Sequence, residues 1–272
     1  MRIAIIGSGT AAKTLPAPLA ELAAESGDEA VLVDPRLSAF ALSAYERLIV
    51  DLGYVDAIQS SVAQAADVIL INSFADYGID AARAVSRQPI IGAGEATLRA
   101  ASNHGRRPFA IVTVWPASMG FLYTERLRSL ELTDLCRSVQ HVSPEAELQK
   151  LGSGDDVMQR MARHDEVIFA RVLEACERAV HDGAAAIALG CTCMLPIGPA
   201  LATCMTVPVF EASRTGLQAA LAAARHDSRS TPSAIQSTLV PQIVSAWAGT
   251  IGPATITHTA GDCPVCIEGD SA

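Results

Sequence analysis

Aromatic residues make up only 4% of this 272-residue chain and charged residues only 18%, while half of it is apolar. So little aromatic surface argues against an aromatic-rich β-sandwich, and so much aliphatic content argues against a disordered chain. A packed core of Ala, Val, Ile and Leu in helices and strands is expected. Positive charge is also short: 20 Lys and Arg against 29 Asp and Glu leave a formal net charge of −9. That balance counts against nucleic acid or an anionic membrane surface as the partner. No segment approaches the ~20 apolar residues needed to cross a bilayer. The amino terminus, MRIAIIGSGT, turns polar and glycine-rich after a short apolar run and reads as a first strand rather than a secretory segment. The seven cysteines, at 136, 176, 191, 193, 204, 263 and 266, are odd in number. With no export signal beside them, they are expected to be reduced thiols in a cytoplasmic protein.

What is present is an alternation. Short aliphatic runs at Arg2 to Ile6, Ala30 to Val33, Asp67 to Asn72, Pro89 to Ile91, Phe109 to Val114, Ala185 to Leu189 and Val207 to Phe210 are separated by longer Ala- and Leu-rich amphipathic stretches. This predicts an α/β fold with parallel sheets. The length allows one large domain or two small ones. The longest helical pattern runs from Asp156 to Asp182 and ends at Asp182-Gly183, before the strand that leads to Cys191. From His226 the composition turns rich in Ser, Thr and Pro, with one short helix expected near Leu239 to Trp247. This part is expected to be an appendage to the core.

The chain also echoes itself. The segment from Val68, VILINSFADYGIDAARAVSRQPIIGAGEATLRAA, overlays that from Ala186, AIALGCTCMLPIGPALATCMTVPVFEASRTGLQAA, with one extra residue in the second. Both read as strand, small polar loop, helix, Pro-led strand and Ala-rich helix, a plan that any two βαβ units share. The overlay sets Ser73 against Cys191, each beyond the C-terminal end of a strand, where open α/β sheets hold their ligands. In GCTCM, Gly190 to Met194, a thiol beside free backbone N–H groups has its pKa drawn from ~8.5 toward neutrality and serves as base or nucleophile. Cys136, Cys176 and Cys204 read as small buried hydrophobes. Cys193 is expected to point away from Cys191 if the chain stays extended.

Two other chemistries have footholds. MRIAIIGSGTAA fits a strand followed by Gly-x-Gly-x-x-Ala, and Asp34 ends the next strand, as in an NAD(P)- or flavin-binding Rossmann oxidoreductase. Against it, Pro16 and Pro18 fall where the first helix would pack, at ~3 kcal/mol or more each. Cys263-Pro-Val-Cys266 has the spacing of a zinc or redox pair, but only His258 is near it, short of four ligands.

The loop INSFADYGIDAAR, with Ser73 at its third position, resembles the first catalytic loop of hydantoin racemases: an apolar strand, Cys, Phe, a small residue, Asp, a turn residue, Gly, an aliphatic residue and Asp. PIIGAGEA, Pro89 to Ala96, is similar to that family's Gly-x-Gly-Glu-Ala segment, LGCTCM to its Leu-Gly-Cys-x-x-Met, and FAIVTVW to the strand that opens its second half. These matches span residues 1 to about 225 in the family's order, so the chain resembles the aspartate/glutamate/hydantoin racemase superfamily, nearest its hydantoin branch. The resemblance implies two pseudo-symmetric parallel-sheet α/β halves with the active site in the cleft between them. Residues 1–104 plus 208–227 would form the first half, 105–207 the second, and 228–272 a C-terminal extension. It further implies a homo-oligomeric isomerase that uses no cofactor and no metal, acting on a small carbon acid such as a 5-substituted hydantoin or an amino-acid derivative. The implied catalytic residues are Cys191 and Ser73. Ser8, Thr10, Phe74, Thr113, Thr192 and Glu95 are the implied substrate contacts; these hydroxyls equally suit turns and caps, and Glu95 a helix start.

Ser73 departs from the pattern, because a two-base racemase carries its first cysteine there. Racemisation takes a base on one face and an acid on the other, and a serine hydroxyl is too weak an acid to trade roles with a thiolate. Three readings follow: a cysteine replaced by design, a natural one-base enzyme, or a relative such as the single-cysteine arylmalonate decarboxylases. A pocket that binds without turnover is a fourth.

Overall fold

Strands form where the aliphatic runs are flanked by turn residues, and nearly unbroken apolar strands suit sheets covered on both faces. The computed structural model describes residues 1–7, 14–37, 40–226 and 238–251; Ser8, Thr10, His258, Cys263 and Cys266 lie outside them. The first part of the chain runs β1 (Arg2–Ile6), α1 (Ala17–Glu25), β2 (Glu29–Val33), α2 (Ala44–Ile58), α3 (Ser61–Gln64), β3 (Val68–Ile71), α4 (Ile79–Val85), β4 (Ile90–Gly92) and α5 (Ala93–Ala101). The second runs β5 (Phe109–Thr113), α6 (Gly120–Ser129), β6 (Cys136–His141), α7 (Val157–Ala162), α8 (Glu166–His181), β7 (Ile187–Leu189), α9 (Gly198–Cys204), β8 (Val209–Glu211) and α10 (Ala212–Ala224), after which comes α11 (Leu239–Ile251).

Two four-stranded sheets result, ordered β2-β1-β3-β4 and β6-β5-β7-β8, with every pairing parallel. This is the expected pair of parallel-sheet α/β halves. Each strand of the first sheet has a counterpart four strands later, so β3 answers to β7 and the Ser73 loop to the Cys191 loop. The central strands are solid core: Val68, Ile69, Leu70 and Ile71, like Ile187, Ala188 and Leu189, are fully buried.

The last helix of each half packs on the other sheet. Leu98 and Ala101 of α5 pack with Phe109, Ile111, Ala186 and Ala188 of the second sheet, whereas Leu217, Ala220 and Leu221 of α10 pack with Ile3, Ile5, Val68 and Leu70 of the first. The two helices touch where a Cβ on Gly216 would lie 3.0 Å from Ala93 Cα, so a side chain there would push them apart. The expected boundary at residue 208 is therefore corrected for Val209–Glu211, which pairs with β7 in the second sheet. Crossover joins the halves through buried apolar surface.

Other differences have local causes. The edge strand β6, CRSVQH, had no aliphatic run to announce it, and its residues are only partly buried. The long helical pattern breaks at His164, whose φ is 56°, and Asp156 and Asp165 each cap a fresh start by accepting from Gln159 N and Ile168 N, both at 2.9 Å. It ends as expected at Gly183, whose φ of 94° suits glycine. Helix α1 begins only at Ala17, with Pro16 as the residue before it and Pro18 in its first turn, where proline costs little. Helix α11 docks on α2: Val244 is fully buried and Arg36, paired with Asp56, also donates to Ser245 Oγ at 2.8 Å.

Candidate active site

Beyond β3, the Nδ2 of buried Asn72 donates to Gly7 O at 3.2 Å, tying the ends of β3 and β1 together. The half-buried Ser73 follows, and its Oγ accepts from Ala75 N at 3.3 Å. Beyond β7, Gly190 N continues the ladder to Val112 O at 2.8 Å. Only glycine fits at that point, since a Cβ would sit 2.9 Å from Ile111 Cγ2 and 3.0 Å from both Thr113 Cβ and Tyr123 Cε1. Cys191 comes next in an extended conformation, and its Sγ accepts from Cys193 N at 3.1 Å. The two loops thus repeat one device, a side chain accepting the N–H two residues on.

Cys193 does not point away. The chain leaves its extended course at Cys191 and winds into a tight turn over Thr192–Met194, which swings the second thiol back to the first. Cys191 and Cys193 are joined as a disulfide with Cα atoms 5.2 Å apart, correcting the expectation of reduced thiols at these two positions. Cys136, Cys176 and Cys204 are free; Cys176 is buried as expected, but Cys136 is only partly so and Cys204 is exposed. Burial pushes the thiols of Cys136 and Cys176 up to about 11 and about 12, leaving them poor bases.

A residue missed by the sequence reading organises the first loop. Asp76 is wholly buried at φ 49°, and its carboxylate accepts from Gly94 N at 2.8 Å and Glu95 N at 2.7 Å, closing the N-terminus of α5. Arg126 of α6, 5% exposed, reaches the same carboxylate at 3.1 Å. Burial pushes Asp76 up to about 7 even against Arg126 and the two N–H groups. The α10 N-terminus has an equivalent: Glu211 accepts from Ser213 N and Arg214 N, both at 2.8 Å, and burial raises it to about 7 as well. Glu95 is drawn into an ion-pair cluster, 2.9 Å from Arg83, 2.8 Å from Arg99 and 3.9 Å from Arg126. Burial pushes its carboxyl up, but Arg99 and Arg83 together outweigh this and hold it below the usual range.

Thr113 is fully buried, and its hydroxyl is taken up by Tyr123 Oη at 2.6 Å and Trp115 N at 3.2 Å. The Tyr123 hydroxyl donates in turn to Gly190 O at 3.0 Å. Phe74 is buried with its ring 5.6 Å from that of Tyr123. Arg47 of α2 pairs with Glu125 of α6 and donates to Ala75 O at 3.2 Å. Thr192 is buried in the turn after Cys191. Ser73 and Cys191 therefore head equivalent loops, while Phe74 and Thr113 are buried beside them and the Glu95 carboxylate is held in its partly exposed arginine cluster. Of the residues missed, Asp76 left a trace in the FADYG motif; Arg47, Tyr123 and Arg126 left none, because their partners lie far along the chain. Among the described residues no three His, Cys, Asp or Glu side chains are grouped to hold a metal ion, and no helix is long and apolar enough to cross a membrane.

The model of the family described as Asp/Glu/Hydantoin racemase matches residues 3–220, a span that includes both loops. A hydantoin racemase of Pseudomonas sp. (strain NS671) is 27% identical over 201 residues, 73% of this chain and 75% of the relative. Among solved structures, allantoin racemase from Klebsiella pneumoniae shares the fold at a TM-score of 0.70 and 23% identity, covering 90% of this chain and 98% of that one. Arylmalonate decarboxylase shares it at 0.55 and 20%, covering 86% and 96%.

Proposed function

The chain belongs to the Asp/Glu/hydantoin racemase family, a family of isomerases, and from that premise we propose that its reduced form moves a proton at a carbon next to a carbonyl, with Cys191 as the base. The substrate class is a 5-substituted hydantoin or related cyclic ureide, in keeping with the hydantoin racemase of Pseudomonas sp. among its relatives. The observation that carries the reading is the matched pair of loops, with the Cys191 sulfur and the Ser73 hydroxyl each accepting the N–H two residues on at the ends of equivalent strands.

The Cys191 thiolate takes the α-proton, the electron pair passes to the carbonyl oxygen as an enolate, and the thiol returns a proton to the same carbon. N–H and hydroxyl groups around the enolate oxygen stabilise it. Substrate contact falls to Ser73, Cys191 and Thr192, since the Thr113 hydroxyl and the Glu95 carboxylate are engaged within the protein. On the opposite face the Ser73 hydroxyl is too weak an acid to alternate with a thiol of pKa ~8.5. Proton exchange is then one-sided: solvent deuterium enters one enantiomer with retention, and inversion is slow. Hydantoin C5 exchange in D₂O, followed by NMR on reduced protein, is expected to occur here and to vanish in Cys191→Ala. Exchange surviving that substitution, or absent from every hydantoin with the native chain, contradicts the reading.

One thiol-bearing loop is also all that a decarboxylase needs, and this favours a second reading. A malonate-type diacid would lose CO₂ to leave the enolate, which Cys191 protonates from one face. Carbon dioxide release from an arylmalonate, with a single product enantiomer, is the outcome that selects it.

A further inference from the structure

Helix α6 touches the first loop at three successive residues. The ring of Tyr123 packs on Phe74, Glu125 holds Arg47 whose guanidinium donates to Ala75 O, and Arg126 pairs with Asp76. Tyr123 and Arg126 lie three apart and so share a helix face, with Glu125 at its flank. The same Tyr123 also reaches the second loop: its hydroxyl donates to Gly190 O, next to Cys191, and its ring edge lies against the bare Cα of Gly190, where any Cβ would stand 3.0 Å from Cε1. Its hydroxyl is steadied by Thr113 Oγ1 and its ring by His141, 5.7 Å away edge-on. No other described side chain contacts both loops in this way among the hydrogen bonds and ring contacts found.

We infer that Tyr123 is a positioning residue that sets where position 73 stands relative to the Cys191 thiol, through its ring on Phe74 and its hydroxyl on Gly190 O. The inference rests on the proposal that these two positions face one reacting carbon. Two bases on opposite faces are sensitive to spacing, because a misplacement of ~1 Å costs about a hundredfold in rate. One-sided exchange, which uses Cys191 alone, tolerates more. Tyr123 should therefore govern the ratio of inversion to exchange more strongly than exchange itself, and that ratio does not depend on how much of the protein is folded.

The test uses the double variant Ser73→Cys/Cys193→Ser as parent, so that one thiol stands in each loop without the neighbour at 193. Tyr123→Phe is added to it, and Val172→Ala serves as a control for loss of core packing outside the cluster that holds Tyr123 and Phe74. Two quantities are read under reducing conditions: the ratio of inversion to deuterium exchange for a 5-substituted hydantoin, and the rate at which dibromobimane bridges the thiols at 73 and 191. Tyr123→Phe is expected to lower the ratio about tenfold and to slow bridging, with Val172→Ala matching the parent in both. A ratio and bridging rate equal to the parent's, or an equal fall in the control, overturns the inference. If the parent exchanges no hydantoin proton, the functional reading fails while bridging still decides the inference: slowed in Tyr123→Phe it stands, unchanged it falls.

Discussion

The two halves share a backbone plan and differ in the chemistry mounted on it. Each sheet has the same strand order, each third strand ends in a loop whose leading hydroxyl or sulfur accepts an N–H two residues on, and the helix after each fourth strand has a buried carboxylate closing its N-terminus. In the first half the carboxylate is Asp76, brought in from the loop and balanced by buried Arg126; in the second it is Glu211, the residue before the helix, with no ion pair among the described residues. The first loop carries a hydroxyl, the second a cysteine whose sulfur is joined to that of Cys193 as a disulfide. The repeated plan thus keeps the two loop positions equivalent while their side chains differ, and on the proposed reading that difference decides whether a proton can be handed across the substrate or only returned.

The largest way to break that comparison is to block the sulfur. Hydrogen peroxide acting on the reduced protein oxidises Cys191 to a sulfenic acid, which condenses with the Cys193 thiol and releases water to give the disulfide. Exchange is expected to fall to background and to return with dithiothreitol, the intact mass falling and rising by two hydrogens. The Cys193→Ser variant is expected to lose this thiol-reversible protection, with less of its own starting activity recovered after excess peroxide.

Next in size is the ion pair. Removing Arg126 in Arg126→Met strands the buried Asp76 carboxylate and is expected to cost ~3–5 kcal/mol in urea unfolding, whereas Arg214→Met near the exposed side of the other cap should cost less than ~1 kcal/mol. Equal losses would erase the distinction. Smaller again is Gly94→Ala, in which the new Cβ overlaps the carbonyl oxygen of Phe74. A cost of ~1–3 kcal/mol is expected there, while Ser213→Ala at the matching position of α10 should cost less.

The smallest effect is one of pH. Burial raises Glu211 from an ordinary 4.5 to about 7, so the folded state holds its proton more tightly than the unfolded chain. The stability this contributes is fully present below pH 4.5 and is lost as pH rises through about 7. Denaturation of the native chain and Glu211→Gln between pH 5 and 8 should show the native chain gaining relative stability as pH falls; parallel curves would contradict the assignment.

How legible this was in the sequence depended on the range of the contacts. Strands such as VILI and FAIVT, and the stop at Gly183, could be read because their cause lies in neighbouring residues. So could the equivalence of Ser73 and Cys191, which the internal echo displays. The edge strand β6 was hidden because CRSVQH, partly open to solvent, carries no aliphatic run. The exchange of α5 and α10 between sheets, the latch of Tyr123 and Arg126 on residues some fifty positions earlier, and the tight turn over Thr192–Met194 that brings Cys193 back to Cys191 are not encoded in hydrophobic periodicity.

The central claim is that Cys191 exchanges a carbon-bound proton from one face because position 73 lacks a thiol. Its most direct test is the stereochemical course in D₂O for the native chain and Ser73→Cys, each reduced, on both enantiomers of a 5-substituted hydantoin, followed by chiral chromatography. Deuterium entering with retention in the native chain, and with inversion once position 73 is changed, is the predicted result. Rapid inversion by the native chain, or none after Ser73→Cys, would contradict it.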